Sequence, residues 1–100
     1  MKVITLCGSL KFKDEMMKVA IDLEFLGNCV LPVIFPLTDD KDAFSKEELE
    51  KLRDAHKKRI EISDAIYVVN VGGYIGESTT KEIEYAKSLG KEILYLENVN

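Results

Sequence analysis

Residues 71 to 82 read VGGYIGESTTKE: glycines at 72, 73 and 76, hydroxyls at 78, 79 and 80, and a carboxylate at 82. Gly72, Gly73 and Gly76 permit close approach of the backbone to a ligand. Ser78, Thr79 and Thr80 bring hydroxyls and free amides to the start of a helix, where anions and sugar hydroxyls are favoured. The segment is longer than a strand-to-helix connection needs. Asn70, Gly72, Gly73, Tyr74, Gly76, Ser78 and Thr79 are therefore candidate ligand-binding residues; the competing reading is a flexible turn with ordinary caps. The spacing fits neither the dinucleotide fingerprint nor the P-loop. Glu82 has two readings. Thr79-Thr80-Lys81-Glu82 satisfies a capping box, in which Glu82 bonds back to the Thr79 amide, and periodicity favours that reading. Alternatively, a carboxylate one turn into the helix, beside the apolar Ile83-Ala86 face, points into a cleft as a nucleophile or general base.

A second turn, CGSLK at 7 to 11, has the same character. Gly8 allows a tight turn, Ser9 and the amides that follow can face an anion, and Lys11 adds a full positive charge. Gly8, Ser9, Leu10 and Lys11 join the candidate binding residues. His56 is the single histidine of the chain. It lies on a helical stripe with Leu49, Leu52 and Ile60, as a packed core histidine or as a group that approaches the same cleft. No metal is expected: there is no second histidine for zinc and no paired cysteine spacing. No nucleophile-elbow motif supports a Ser-His-Asp triad.

The elements that must hold these groups follow from hydrophobic period. Residues 3 to 9 form an unbroken apolar run, as in a strand buried on both faces of a parallel sheet. Residues 11 to 28 change to helical spacing at Phe12, Met16, Val19, Ala20, Leu23 and Leu26, with Gly27-Asn28 as the stop. Residues 29 to 35 read as a strand in which Pro32 forces an edge position or an early end. A polar loop spans 36 to 45, a plain surface loop or a lid. Ser45 and Glu48 form a capping box that opens a helix over 45 to 63. Strands follow over 65 to 71 and 92 to 96, separated by a helix from about 79 to 89. The order βαβαβαβ gives one α/β domain, residues 1 to 100: a flavodoxin-like or Rossmann-like three-layer sandwich around a parallel four-stranded sheet. Ligands of such sheets bind beyond the carboxyl ends of the strands, where strand order reverses. With a flavodoxin-like order that point lies between strands one and three, which brings the two glycine-bearing turns together.

The totals narrow the partners. Fourteen basic and eighteen acidic residues give a net charge of -4. Nucleic-acid polymers and anionic membranes both call for a basic face, so neither is expected, whereas a small anionic ligand needs only one local positive site. No secretory or membrane-spanning segment is read, and Cys7 and Cys29 read as reduced, buried thiols, so a cytoplasmic protein is expected.

CGSL after strand one, SDAIYVVN on strand three, and the glycine-rich loop with KEIEYAKSLGKEI together resemble the nucleoside 2-deoxyribosyltransferase superfamily, which includes the 2-deoxynucleoside 5-phosphate N-hydrolases. The likeness is greatest to a small bacterial and phage branch and extends over nearly the whole chain. The last motif is specific and the first is short. The resemblance implies cleavage or exchange of an N-glycosidic bond in a nucleoside or nucleotide, without a cofactor. It implies Glu82 as the nucleophile that attacks the anomeric carbon, and a covalent glycosyl-enzyme that passes to water or to a second base. It also implies a homo-oligomer, a dimer or larger, to which Asn98 and Asn100 near the terminus could contribute.

The chain departs from the nucleotide hydrolases at several positions. His56 stands where they carry an aspartate, and is the residue that could replace it as an acid. Lys11 and Phe12 replace an arginine and a glycine, and Gly76 replaces a serine. These departures leave open a binding module that holds a nucleotide or sugar phosphate without turnover. A phosphoribohydrolase of the lysine-decarboxylase-like kind is a weaker match, because the spacing between glycines and glutamate differs.

Overall fold

A computed structural model describes residues 1–38, 40 and 42–99. Asp39 and Lys41, in the loop read as a surface segment or lid, and Asn100 lie outside the described residues. The strands are β1 (Val3–Cys7), β2 (Cys29–Leu31), β3 (Ala65–Val68) and β4 (Glu92–Tyr95). The helices are α1 (Lys13–Phe25), α2 (Lys46–Ile62) and α3 (Glu77–Ser88). The four strands form one sheet in the order β2-β1-β3-β4, and every pairing is parallel.

Side-chain alternation divides the core between two faces. Leu6, Val30 and Val69 pack with Met16 and Val19 of α1 on one face. Cys7, Ile66 and Val68 pack with Ile60 of α2 and with Ile83 and Ala86 of α3 on the other. Leu6 and Ile66 are completely buried, and each such side chain contributes about 1.5–3 kcal/mol. The chain therefore makes a three-layer α/β sandwich of the flavodoxin-like kind. The β1–α1–β2 unit steps to one side and the next two crossovers step to the other, so strand order reverses between β1 and β3.

The boundaries differ from the sequence reading for local reasons. β2 sits at the sheet edge and stops at Leu31, directly before Pro32, as a residue without a backbone donor requires. α2 opens with the reciprocal Ser45–Glu48 capping box. A 3-10 turn over Leu10–Phe12 precedes α1, and Leu26, expected on its inner face, is exposed beyond its last residue. The largest correction concerns α3. It begins at Glu77, with Gly76 as its N-cap, not near residue 79. Glu82 is then well inside the helix, where the i→i−4 ladder already satisfies the backbone. No side-chain bond caps this helix, so the cap reading of Glu82 is overturned. The cue misled because Thr79 is one of the buried residues of α3.

The carboxyl end of the sheet is fastened by Asn70. Its side-chain amide donates to the Glu97 carbonyl at 3.0 Å, and its oxygen accepts from the Glu97 amide at 2.9 Å. Asn70 is fully buried, so it extends the β3–β4 ladder by one side-chain rung. Asn70→Ala strands both Glu97 groups and should lower stability by about 1–3 kcal/mol. Urea unfolding measures this; an unchanged midpoint would show that the rung carries no stability.

Candidate active site

The carboxyl ends of β1 and β3, the start of α3 and the inner face of α2 enclose a cavity of about 540 Å³. One wall is apolar: Val33, Ile34, Pro36, Phe44, Leu49 and Leu52. The opposite wall carries the β1 turn, Gly8, Ser9 and Leu10, and the loop residues Tyr74, Gly76, Ser78 and Thr79. Charged or titratable residues complete the lining: His56, Arg59 and Glu82 are at least partly buried, while Arg53 and Glu77 are exposed. The two glycine-bearing turns touch at its rim. Lys11 Nζ stands 3.5 Å above the Tyr74 ring, and Phe12 meets that ring edge-on with centroids 6.0 Å apart. Gly72 and Gly73 adopt φ of 64° and 80°, the left-handed region that glycine enters without steric cost, and so turn the chain back toward β1.

Cys7 at the end of β1, fully buried behind the lining, meets His56 on α2 and Glu82 on α3, with their donor atoms all within 4.8 Å of one another. Cys7 Sγ is 3.6 Å from His56 Nε2, and His56 Nε2 is 3.8 Å from Glu82 Oε2. Behind the imidazole, Arg59 Nη1 lies 3.3 Å from His56 Nδ1. Burial pushes the Glu82 carboxyl up to about 7, partly offset by a hydrogen bond from the Cys7 thiol. Burial, and then the adjacent Arg59 charge, hold His56 down to about 4. Burial also pushes the Cys7 thiol well up, and the Glu82 charge adds to it. Near neutral pH His56 is therefore uncharged. Its 3.8 Å approach to Glu82 is neither an ion pair nor a short hydrogen bond. Three mixed donors so close could in principle hold a metal. The guanidinium, however, can only donate to Nδ1, which leaves the proton on Nε2, the nitrogen that would have to bind the ion.

No family model matches this sequence, and no curated protein matches it. Solved structures do match. A 2-deoxyribosyltransferase of Bacillus psychrosaccharolyticus superposes with a TM-score of 0.74 at 18% identity, over 98% of this chain and 77% of that one. It has the 2-deoxyribosyltransferase-like fold. A CMP N-glycosidase of Clostridium botulinum gives a TM-score of 0.62 at 21% identity, over 94% of this chain and 70% of that one. A 2-deoxyribosyltransferase of Leishmania mexicana gives 0.67 at 20% identity, over 95% of this chain and 63% of that one. Among the described residues no helix is long and apolar enough to cross a membrane.

Within this deoxyribosyltransferase-like fold the sequence candidates separate into two groups. Gly8, Ser9, Leu10, His56, Tyr74, Gly76, Ser78, Thr79 and Glu82 all line the cavity. Lys11 lines a neighbouring hollow of about 470 Å³ with Lys13, Phe35 and Thr38. Asn70, Gly72 and Gly73 are outside both linings; Asn70 is engaged with Glu97, and the Gly72 amide donates to the Glu97 carboxylate. Sequence reasoning missed Cys7, Arg53 and Arg59. The two arginines fall on the same face of α2 as Leu49, Leu52 and His56, at spacings of three and four, so that stripe already contained them. Cys7 gives no such signal, since its partners are 49 and 75 positions away.

The weakened acidity of Glu82 has a thermodynamic consequence. A carboxyl that ionises at 4.5 when exposed and at about 7 when folded stabilises the fold fully below 4.5 and loses that contribution as pH rises through 7. The loss amounts to about 3 kcal/mol, at about 1.4 kcal/mol for each tenfold change in proton affinity. Glu82→Gln removes it. The stability of Glu82→Gln relative to wild type should therefore rise by about 3 kcal/mol between pH 4.5 and pH 8. Urea titrations at the two pH values measure the difference; a constant difference would mean that Glu82 ionises normally.

Proposed function

We propose that this protein cleaves or transfers the N-glycosidic bond of a nucleoside or nucleoside monophosphate, with Glu82 as the nucleophile. The observation that carries this reading is a mostly buried carboxylate, 26% exposed, lining a cavity at the β1–β3 switch point. Its support is the fold shared with proteins named as deoxyribosyltransferases and a CMP N-glycosidase.

The chemistry follows from the site. The cavity of about 540 Å³ lies within the 300–1,000 Å³ range of small-molecule sites. The apolar wall and Tyr74 suit a flat heterocyclic base, while Ser9, Ser78 and the α3 amides suit sugar hydroxyls or a phosphate. A carboxylate shielded from water keeps its nucleophilicity and loses less solvation when it attacks. Glu82 attacks the anomeric carbon as the bond to the base breaks, giving a glycosyl ester. Water or a second base then takes the sugar and frees the carboxylate. Neutral His56 is not a strong acid at neutral pH. Its role here is to orient Glu82, so the base leaves with a proton drawn from solvent or from a residue at the cavity rim.

Glu82→Gln and Glu82→Ala should lower base release by on the order of 1,000-fold or more with the fold intact. With wild type, the acid limb of the rate profile should rise through about pH 7 as Glu82 ionises. Chromatographic detection of free base from a panel of ribo- and deoxyribonucleosides and their 5-phosphates tests both. No release from any member would refute catalysis, and thermal stabilisation by the same panel without release would instead support a binding module.

A further inference from the structure

We propose that Arg59 is a positioning residue that fixes the His56 ring as the Nε2–H tautomer, so that His56 presents its proton toward Glu82. The geometry stands by itself; its catalytic meaning rests on the nucleophile reading above.

Arg59 Nη1 lies 3.3 Å from His56 Nδ1. A guanidinium has donors and no acceptor, so this contact requires a lone pair on Nδ1 and places the ring proton on Nε2. Nε2 in turn lies 3.6 Å from Cys7 Sγ and 3.8 Å from Glu82 Oε2. The imidazole N–H faces the sulfur and the carboxylate, and the sulfur lies within 4.8 Å of Glu82. Guanidinium, imidazole and carboxylate then lie in one line of proton donation, with the thiol beside the imidazole N–H and within 4.8 Å of the carboxylate. In the other tautomer, the Nε2 lone pair would face the Glu82 oxygen, and the thiol would turn its proton to Nε2. Glu82 would then face a lone pair instead of a proton.

The turn that carries Arg59 is itself fastened to the sheet. The Arg59 carbonyl accepts from Thr5 Oγ1 at 3.0 Å and from Ser63 Oγ at 2.6 Å. Thr5 and Ser63 are both buried and touch each other, so their two protons are shared among the Arg59 carbonyl and the two hydroxyl oxygens. Thr5 lies two residues before Cys7 on the same face of β1, so one strand sets both Arg59 and Cys7. His56 stays uncharged at neutral pH, as a choice between tautomers requires.

A single histidine makes the test direct, because the long-range proton–nitrogen NMR spectrum contains one imidazole. At pH 7 the 100-residue chain should show Nε2 protonated and Nδ1 free. Arg59→Lys, which still only donates, should keep that pattern. Arg59→Glu, which accepts, should invert it, since a bond to a charged partner biases the two forms by about 10- to 100-fold. Wild type with Nδ1 protonated, or a folded Arg59→Glu with an unchanged ring, would overturn the proposal. Should Arg59→Glu not fold, as judged by its amide spectrum, the wild-type and Arg59→Lys spectra decide alone. None of these readouts needs turnover, so a protein that releases no base leaves this test standing. Where base is released, Arg59→Glu should lower kcat more than it raises KM, with activity restored by Arg59→Lys.

Discussion

A carboxylate taken out of water is costly unless a cation or several donors meet it, and the site is built around how that cost is met at Glu82. A thiol and an uncharged imidazole lie within 4.8 Å of it. The guanidinium that could have neutralised it directly is spent on the far nitrogen of that imidazole. Were Arg59 in contact with Glu82, the carboxyl would ionise at low pH and bind the cation tightly. With His56 between them, Glu82 remains poised near neutrality and faces an open cavity. The arrangement withholds stabilisation from the ionised form of Glu82.

The topology makes that arrangement available. Crossovers that diverge between β1 and β3 leave a gap at their carboxyl ends, and α2 and α3 share the face that borders it. Cys7 closes β1 on that face, and α3 begins close enough to β3 for its second turn to overhang the same gap. The long connection after β3 does two jobs. Asn70 completes the sheet against Glu97, and the glycines beyond it fold the chain back so that Tyr74 covers the β1 turn.

Much of the fold is legible in the sequence because its signals are local. Apolar runs mark the inner strands, Pro32 marks the truncated edge, and Ser45 with Glu48 marks the start of α2. The start of α3 is not legible, because Gly76 caps it without a side chain while Thr79 to Glu82 imitates a cap inside the helix. The site divides in the same way. The turns containing Gly8 and Gly76 could be found from composition and topology. The role of Cys7 depends on a contact with a segment 49 residues away, which no local pattern encodes, whereas Arg59 lies three residues from His56 on the stripe that already contained it. His56 and Ile60 point inward as read while Leu52 on the same stripe is exposed, and only the packed structure places the His56 ring between a cation and a carboxylate.

The central claim is that Glu82 forms a bond to sugar carbon. The most direct measurement is the mass of the protein after incubation with a 2-fluoro-2-deoxynucleoside, whose fluorine slows breakdown of a glycosyl ester, followed by peptide mapping. One added fluorosugar is expected, carried by the peptide that contains Glu82 and absent from Glu82→Gln. Release of base with that peptide unmodified, or an adduct on any other side chain, would contradict it.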